Sequence, residues 1–103
     1  MEKINSDRFY ELLKSQKVMV VDFFATWCRP CSMMTPILEK VDSDMDNVSI
    51  YKLDVDECGD VAQEYGILSI PCMIVYKDGK EVDRIIGFTQ EEDVRNTIDK
   101  YLK

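Results

Sequence analysis

The chain has 103 residues, of which 46% are hydrophobic and 32% charged, with only 4 glycines and 3 prolines. This length and balance are typical of one folded domain whose core is large enough to be stable without disulfide bridges. The net charge of -7 argues against a nucleic-acid-binding protein, because contacts with phosphates need a basic patch.

The N-terminal stretch MEKINSDRFYELLK is polar and has a helical pattern rather than that of a secretory signal. The longest apolar run, VMVVDFFA, is much shorter than a membrane span and contains Asp22. We therefore expect a soluble, cytoplasmic protein. In a reducing cytosol, its four cysteines are expected to serve redox chemistry or metal binding rather than structural bridges.

Hydrophobic periodicity predicts the secondary structure of the first half of the chain. The predicted elements are an edge strand over residues 2–5, a helix over 6–15, a buried strand over 18–25 and a long helix from about residue 29 or 31 to about 45. Asn5 precedes the first helix as a cap. Pro36 lies past the first turn of the long helix, so we expect a kink there.

The pattern in the second half of the chain predicts a strand, a short helix, a hairpin and a last helix. The strands are expected over residues 48–53, 72–76 and 81–86, and the short helix over 61–65. Gly66 is a stop signal for the short helix, and Asp78-Gly79 is a hairpin turn. Thr89 and Glu92 form a capping box that starts the last helix. Its inner face would carry Val94, Ile98, Tyr101 and Leu102.

The order of these elements indicates the fold class. A βαβ unit followed by an antiparallel hairpin implies an α/β protein with a mixed sheet of four or five strands. Helices are expected on both faces of that sheet. We find no repeat, linker or low-complexity segment, and predict a single domain over residues 1–103.

The stretch ATWCRPCSMM places Cys28 and Cys31 where the first long strand ends and the long helix begins. Free backbone N–H groups and the helix dipole stabilise an anion there, so the thiol of Cys28 should ionise more easily than a free cysteine. Pro30 suits an early helix position. A Cys-x-x-Cys pair beside a βαβ pattern indicates redox chemistry.

The chain contains no histidine, which excludes Cys–His and Ser–His–Asp catalysis and imidazole metal ligands. Asp22 is the leading candidate for acid–base chemistry, because desolvation inside VMVVDFFA raises the pKa of a carboxyl above about 3.9. Such a group can accept and release a proton near neutral pH. Alternatively, Asp22 lies at a bend of the strand and contacts only water or Lys52.

From about Ser6 to Leu102, the sequence resembles the thioredoxin family. The matching pieces are VDFFA at 21–25, WCRPC at 27–31, Pro36, LDVD at 53–56, YGI at 65–67, IP at 70–71, DG at 78–79 and Gly87. The resemblance implies the thioredoxin fold and a protein-disulfide reductase with a redox-active disulfide, which serves electron transport and cell redox homeostasis. It implies no cofactor or metal. The expected partners of the monomer are protein disulfides and a thioredoxin reductase.

The resemblance also implies roles for individual residues. Cys28 would be the exposed attacking thiolate, Cys31 the buried resolving thiol, and Asp22 the carboxylate that shuttles a proton to or from Cys31. Lys52 would lie near this acid. Pro71 would be a cis-proline facing the disulfide, and the backbone of Ile70 would bind an extended substrate segment. The apolar patch that recognises partners would comprise Trp27, Ile70, Pro71, Gly87 and Phe88, although Ile70 and Phe88 could instead be ordinary core residues.

Arg29, Cys72 and Ser69 depart from the family pattern; Ser69 stands where glycine is common, and nothing is concluded from it. Arg29 replaces the usual glycine, and a cation beside the Cys28 thiolate would make the disulfide more oxidising by at most roughly 20 mV. It could equally be a solvated side chain with no effect. Cys72 stands where threonine is usual and is either inert packing or an auxiliary thiol. Cys58 is expected to start the short helix, with a regulatory surface thiol as the alternative.

Two other functions stay open from the sequence. The four cysteines could ligate zinc or an iron–sulfur cluster, although the spacing lacks a second Cys-x-x-Cys. The chain could also be a non-enzymatic subunit that binds a partner through the apolar patch. The intact Cys28–Cys31 pair argues against this second alternative, because mere binding needs no dithiol.

Overall fold

The computed structural model describes residues 1–103 and contains nine elements of regular structure. In chain order they are β1 (Glu2–Ile4), α1 (Ser6–Ser15), β2 (Val18–Phe24), α2 (Arg29–Asp44), β3 (Ser49–Asp54), α3 (Gly59–Glu64), β4 (Cys72–Lys77), β5 (Lys80–Ile86) and α4 (Glu91–Asp99). Every predicted element is present, including the short edge strand. Most boundaries agree with the prediction to within one or two residues. No helix combines the length and the apolar character that crossing a membrane requires.

The five strands form one mixed sheet in the order β1-β3-β2-β4-β5. β1, β3 and β2 run parallel, whereas β4 and β5 are antiparallel to their neighbours. The predicted mixed sheet is thus confirmed. In this register Lys52 of β3 lies beside Asp22 of β2, and the carboxyl end of β2 leads directly to the two cysteines.

Two hydrophobic clusters cover the two faces of the sheet. One packs α1 and α3 against the sheet through residues such as Phe9, Phe23 and Val61. The other packs α2 and α4 against the opposite face and includes Val20. Because side chains alternate along a strand, Asp22 shares the face of Val20 and lies on the α2 side of the sheet.

The start of α4 differs from the prediction. The predicted capping box is wrong, because Gln90 is the N-cap and its side chain makes no capping hydrogen bond. Thr89 is engaged elsewhere: its hydroxyl donates to the carbonyl oxygen of Gly87 at 3.1 Å, and its N–H to Met34 Sδ at 3.3 Å. A tertiary contact with α2 has therefore replaced a local one.

Two further details of the helices refine the prediction. Helix α4 ends at Asp99, so Tyr101 and Leu102 lie beyond it and are only partly buried, while packing against the α2–α4 cluster. Cys58 is the N-cap of α3, as expected, and Gly66 has the positive φ of 61° that a helix stop requires. Pro36 lies inside α2, and the kink expected there remains a prediction.

Candidate redox site

The two cysteines form a disulfide at the N-terminus of α2, with their Cα atoms 5.3 Å apart. Cys28 is the N-cap of the helix, and the backbone N–H of Cys31 donates to Cys28 Sγ at 3.3 Å. Pro30 occupies the first turn, where its missing N–H costs nothing. After reduction, the same N–H and the helix dipole would stabilise a thiolate on Cys28.

The two sulfurs differ in accessibility. Cys28 is 7% exposed and Cys31 is 2% exposed, so Cys28 is the more accessible, although much less than the expected exposed thiolate. Cys28 packs with Ala25, Cys31 and the partly buried Ile70. Its Sγ lies 3.9 Å from the carbonyl oxygen of Ile70.

Asp22 is almost completely buried, with 1% of its surface exposed, and its Oδ1 makes no hydrogen bond with the protein. Desolvation raises the pKa of this carboxyl to about 7, and the opposing charge of Lys52 limits the rise. A carboxyl with this pKa exchanges protons readily near neutral pH. The alternative of a solvated residue at a strand bend is wrong, because Asp22 lies inside β2.

A cavity of about 240 Å³ opens beside Cys31 on the α2 side of the sheet. Its polar lining consists of Lys52 and the hydroxyl residues Thr26, Ser32 and Thr35. Lys52 Nζ lies 5.4 Å from the ring centroid of Phe24, which also lines the cavity. Solvent can thus approach Cys31 from this side, whereas Asp22 does not line the cavity.

The peptide bond between Ile70 and Pro71 is cis, as predicted. The N–H of Gly87 donates to the carbonyl oxygen of Pro71 at 2.8 Å and fixes the end of β5 beside this segment. Gly87 has a φ of 87°, which only glycine adopts readily. Pro71 is buried and Ile70 half-buried. The contact between the Ile70 carbonyl oxygen and Cys28 Sγ places the backbone of Ile70 next to the disulfide.

Five large apolar side chains are exposed close in the chain to the disulfide or the cis-proline, or at the end of β5, which pairs with the strand after that proline. Trp27 (71% exposed) and Phe88 were part of the predicted patch, and both are exposed. The sequence-based prediction missed Met33, Ile86 and Leu68, the last of which is 97% exposed. Met33 follows Cys31 by two residues, and Leu68 precedes Ile70 by two. We call these five residues the apolar rim.

The indole of Trp27 is tied to the loop after β3. Trp27 Nε1 donates to Asp56 Oδ2 at 2.8 Å. The sequence-based prediction did not include Asp56, because it lies 29 positions away and no local pattern links the two residues. Two signals were available: its place directly after a strand predicted to run beside the strand that precedes the cysteines, and its place in the LDVD piece at 53–56 that matches the family pattern.

Arg29 and the two other cysteines lie in different surroundings. Arg29 is exposed and forms no ion pair. Cys58 and Cys72 are buried in the α1–α3 cluster, and burial raises the pKa of the Cys72 thiol. The alternative of a surface thiol at Cys58 is therefore wrong. No three Cys, Asp or Glu side chains come together in a way that could hold a metal ion.

Comparison with known proteins gives a consistent result. The family model described as Thioredoxin matches residues 1–100. A thioredoxin of Staphylococcus haemolyticus is 44% identical over 101 residues, covering 97% of this chain and 96% of the relative. A thioredoxin of Staphylococcus epidermidis is 48% identical over 86 residues, covering 82% and 83%. The solved structure of Plasmodium falciparum thioredoxin superimposes with a TM-score of 0.92 at 30% identity, covering 98% of this chain and 99% of that one.

Proposed function

Since this chain belongs to the thioredoxin family and is a thiol–disulfide oxidoreductase, we propose that it reduces protein disulfides with Cys28 as the nucleophile and Cys31 as the resolving thiol. The main observation in support of these roles is that Cys28 is the N-cap of α2 and that the N–H of Cys31 donates to its sulfur. The greater burial of Cys31 suits a thiol that reacts only within the complex.

The reaction is two successive thiol–disulfide exchanges. The Cys28 thiolate attacks one sulfur of the substrate disulfide, a mixed disulfide forms, and the first substrate sulfur leaves as a thiolate. Cys31 then loses its proton and attacks Cys28 Sγ, which releases the second substrate sulfur. The substrate gains two electrons, and the Cys28–Cys31 disulfide holds the oxidised state.

Asp22 is the proposed proton acceptor for Cys31 in the second exchange. Its pKa of about 7 suits proton transfer near neutral pH, and it lies on the same side of the sheet as α2. Lys52 lines the cavity beside Cys31, and its charge keeps the pKa of Asp22 from rising further. Arg29 adds a cation adjacent in sequence to Cys28, and we propose that it raises the redox potential slightly.

Substrate recognition is proposed to use the apolar rim together with the backbone of Ile70. An extended substrate segment would pair with that backbone beside Pro71 and Gly87, while its apolar side chains cover Trp27 and Phe88. Because each catalytic cycle leaves a disulfide, a thioredoxin reductase is the proposed electron donor. We further propose that the chain acts as a single monomeric domain in the cytoplasm.

Insulin reduction with dithiothreitol as the electron source tests the proposal. The wild-type protein should accelerate the precipitation of the insulin B chain, whereas Cys28→Ser should be inactive because it lacks the nucleophile. Cys31→Ser should form a mixed disulfide with the substrate that is visible on a non-reducing gel. If Cys28→Ser retained the wild-type rate, the assigned roles would be wrong.

A further inference from the structure

Asp54 is a buried charged residue that the proposed mechanism does not use. It is 4% exposed, and Asp22 is the only other buried charged side chain. Asp54 ends β3, where it lies opposite Phe24 in the parallel pairing with β2. Burying a carboxylate is costly unless hydrogen bonds compensate for the lost water, so the contacts of Asp54 indicate what the residue does.

Those contacts fix the loop that follows β3. Asp54 Oδ1 accepts the backbone N–H of Asp56 at 2.8 Å, which forms an Asx turn. The carbonyl oxygen of Asp54 accepts the N–H of Cys58 at 2.9 Å. Between them, the N–H of Val55 donates to the carbonyl oxygen of Phe24 at 2.9 Å. The loop is therefore attached to the end of β2, three residues before Trp27.

The Asx turn orients Asp56, and Asp56 is the residue that holds Trp27. Asp56 is exposed, and its Oδ2 accepts the indole N–H at 2.8 Å. Trp27 is 71% exposed, so packing on the protein restrains its ring only weakly. Two successive hydrogen bonds thus lead from a buried carboxylate to an exposed aromatic ring beside Cys28.

We propose that Asp54 is a positioning residue for substrate docking: it fixes the backbone of Asp56, whose carboxylate holds the Trp27 ring in the orientation that protein substrates contact. The inference rests on the proposed function, because it assigns Trp27 to the docking surface. Asp54 acts through a hydrogen bond rather than through its charge. Asparagine at this position should therefore replace it, since the amide oxygen can accept the same N–H.

Fluorescence provides a readout that does not depend on activity, because Trp27 is the only tryptophan in the chain. In Asp54→Ala we expect a fast component in the anisotropy decay of Trp27 and stronger quenching by iodide, since the ring loses its restraint. Asp54→Asn should retain the wild-type decay. Asp60→Asn is the matched control, because Asp60 is a nearby exposed acid that bonds Ser6 rather than the loop before α3.

The rate constants of the pre-reduced protein separate docking from thiol reactivity. With insulin, Asp54→Ala should be about twofold to tenfold slower, because the mobile ring must be ordered on binding. With hydroxyethyl disulfide, which is too small to need the docking surface, its rate should equal that of the wild type. In an Asp56→Ala background, Asp54→Ala should cause no further loss of rate with insulin, because the hydrogen bond between Asp56 and Trp27 is already absent.

The outcomes distinguish the proposal from its alternatives. Unchanged Trp27 anisotropy in Asp54→Ala, or a loss that adds in full to that of Asp56→Ala, would overturn the positioning role. If Asp54→Ala does not fold, Asp54→Ser replaces it, and its shorter acceptor should give anisotropy and rates between those of Asp56→Ala and Asp54→Asn. If the wild-type protein fails to reduce insulin, the proposed function is wrong, whereas the anisotropy still tests whether Asp54 orients Trp27.

Discussion

Asp22 makes the stability of the protein depend on pH in a predictable direction. Its pKa is raised to about 7 by burial, whereas the unfolded chain has the ordinary value near 3.9. Between about pH 4 and about pH 7, the folded state therefore binds one more proton than the unfolded state. The stability that the protonated Asp22 carboxyl contributes is full below about pH 4 and is lost as the pH rises through 7. The loss amounts to about 4 kcal/mol at most, from roughly 1.4 kcal/mol per pKa unit.

Asp22→Asn tests this prediction. The variant has no proton to lose, so the free energy of unfolding of the oxidised wild type should fall relative to Asp22→Asn as the pH is raised from acid to neutral. Urea denaturation at several pH values measures the difference. Parallel curves of unfolding free energy against pH for the two proteins would contradict the raised pKa.

Asp22→Asn should also slow insulin reduction near neutral pH, and an unchanged pH–rate profile would remove Asp22 from the mechanism.

Arg29 is expected to raise the redox potential of the disulfide. Arg29→Gly removes a cation next to the Cys28 thiolate, which destabilises the reduced form, so the potential should become more negative by at most about 20 mV. Equilibration with a dithiothreitol redox buffer measures it. Arg29→Lys is the control, because it retains the positive charge and should retain the potential. A potential that stays the same or rises in Arg29→Gly would refute the electrostatic role.

The stability of the β4–β5 hairpin depends on the backbone conformation of its turn. Asp78 and Gly79 both have positive φ, at 53° and 81°, as the common two-residue hairpin turn requires. A Cβ atom at Gly79 would also lie 3.2 Å from the carbonyl oxygen of Leu13 in α1. We therefore expect Gly79→Ala to lower the free energy of unfolding by about 1–2 kcal/mol.

Gly59→Ala is the matched control for the hairpin turn. Gly59 is the first residue of α3, and a Cβ atom there would meet nothing within 4 Å. Because alanine favours a helix over glycine, this variant should be neutral or up to about 1 kcal/mol more stable. Urea denaturation of both variants measures the contrast. Equal stability of the two proteins would mean that the turn does not constrain the fold as described.

Local patterns predicted the elements well wherever local physics decides them. The hairpin follows from the backbone freedom of Asp78-Gly79, and the long helix follows from its apolar periodicity. The start of α4 could not be predicted in this way. Its capping box has the right residue types, but Thr89 bonds Gly87 and Met34 instead. Met34 lies 55 positions away, so no window along the chain could reveal the competition.

The same distinction holds for the site when the whole molecule is considered. Cys28, Cys31 and Asp22 could be found because a redox motif and a carboxyl in an apolar run are visible locally. Asp56 and Leu68 could not, since only the folded chain brings their loops to the disulfide. Five of the six exposed large apolar side chains belong to the apolar rim, and Val82 is the sixth. The proposed docking surface is thus a product of topology.

This concentration of apolar surface yields a prediction on substrate range. Leu68 is 97% exposed and adjoins the Ile70 segment next to Cys28, so a protein substrate that pairs with that segment would cover it. Leu68→Ser should slow insulin reduction roughly threefold to tenfold, because the apolar area is no longer removed from water on docking. Reduction of hydroxyethyl disulfide should not change, since the thiolate itself is untouched.

Val82→Ser is the matched control for Leu68→Ser. Val82 is also exposed and apolar, but it lies early in β5, near the hairpin turn and away from the disulfide, where its carbonyl oxygen accepts a hydrogen bond from the Tyr101 hydroxyl. The substitution leaves that backbone contact in place, so both rates should equal those of the wild type. Rate constants of the pre-reduced proteins with the two substrates decide the matter. If Leu68→Ser and Val82→Ser were equally slow with insulin, general surface hydrophobicity would explain the effect, and the rim around the disulfide would have no special part in docking.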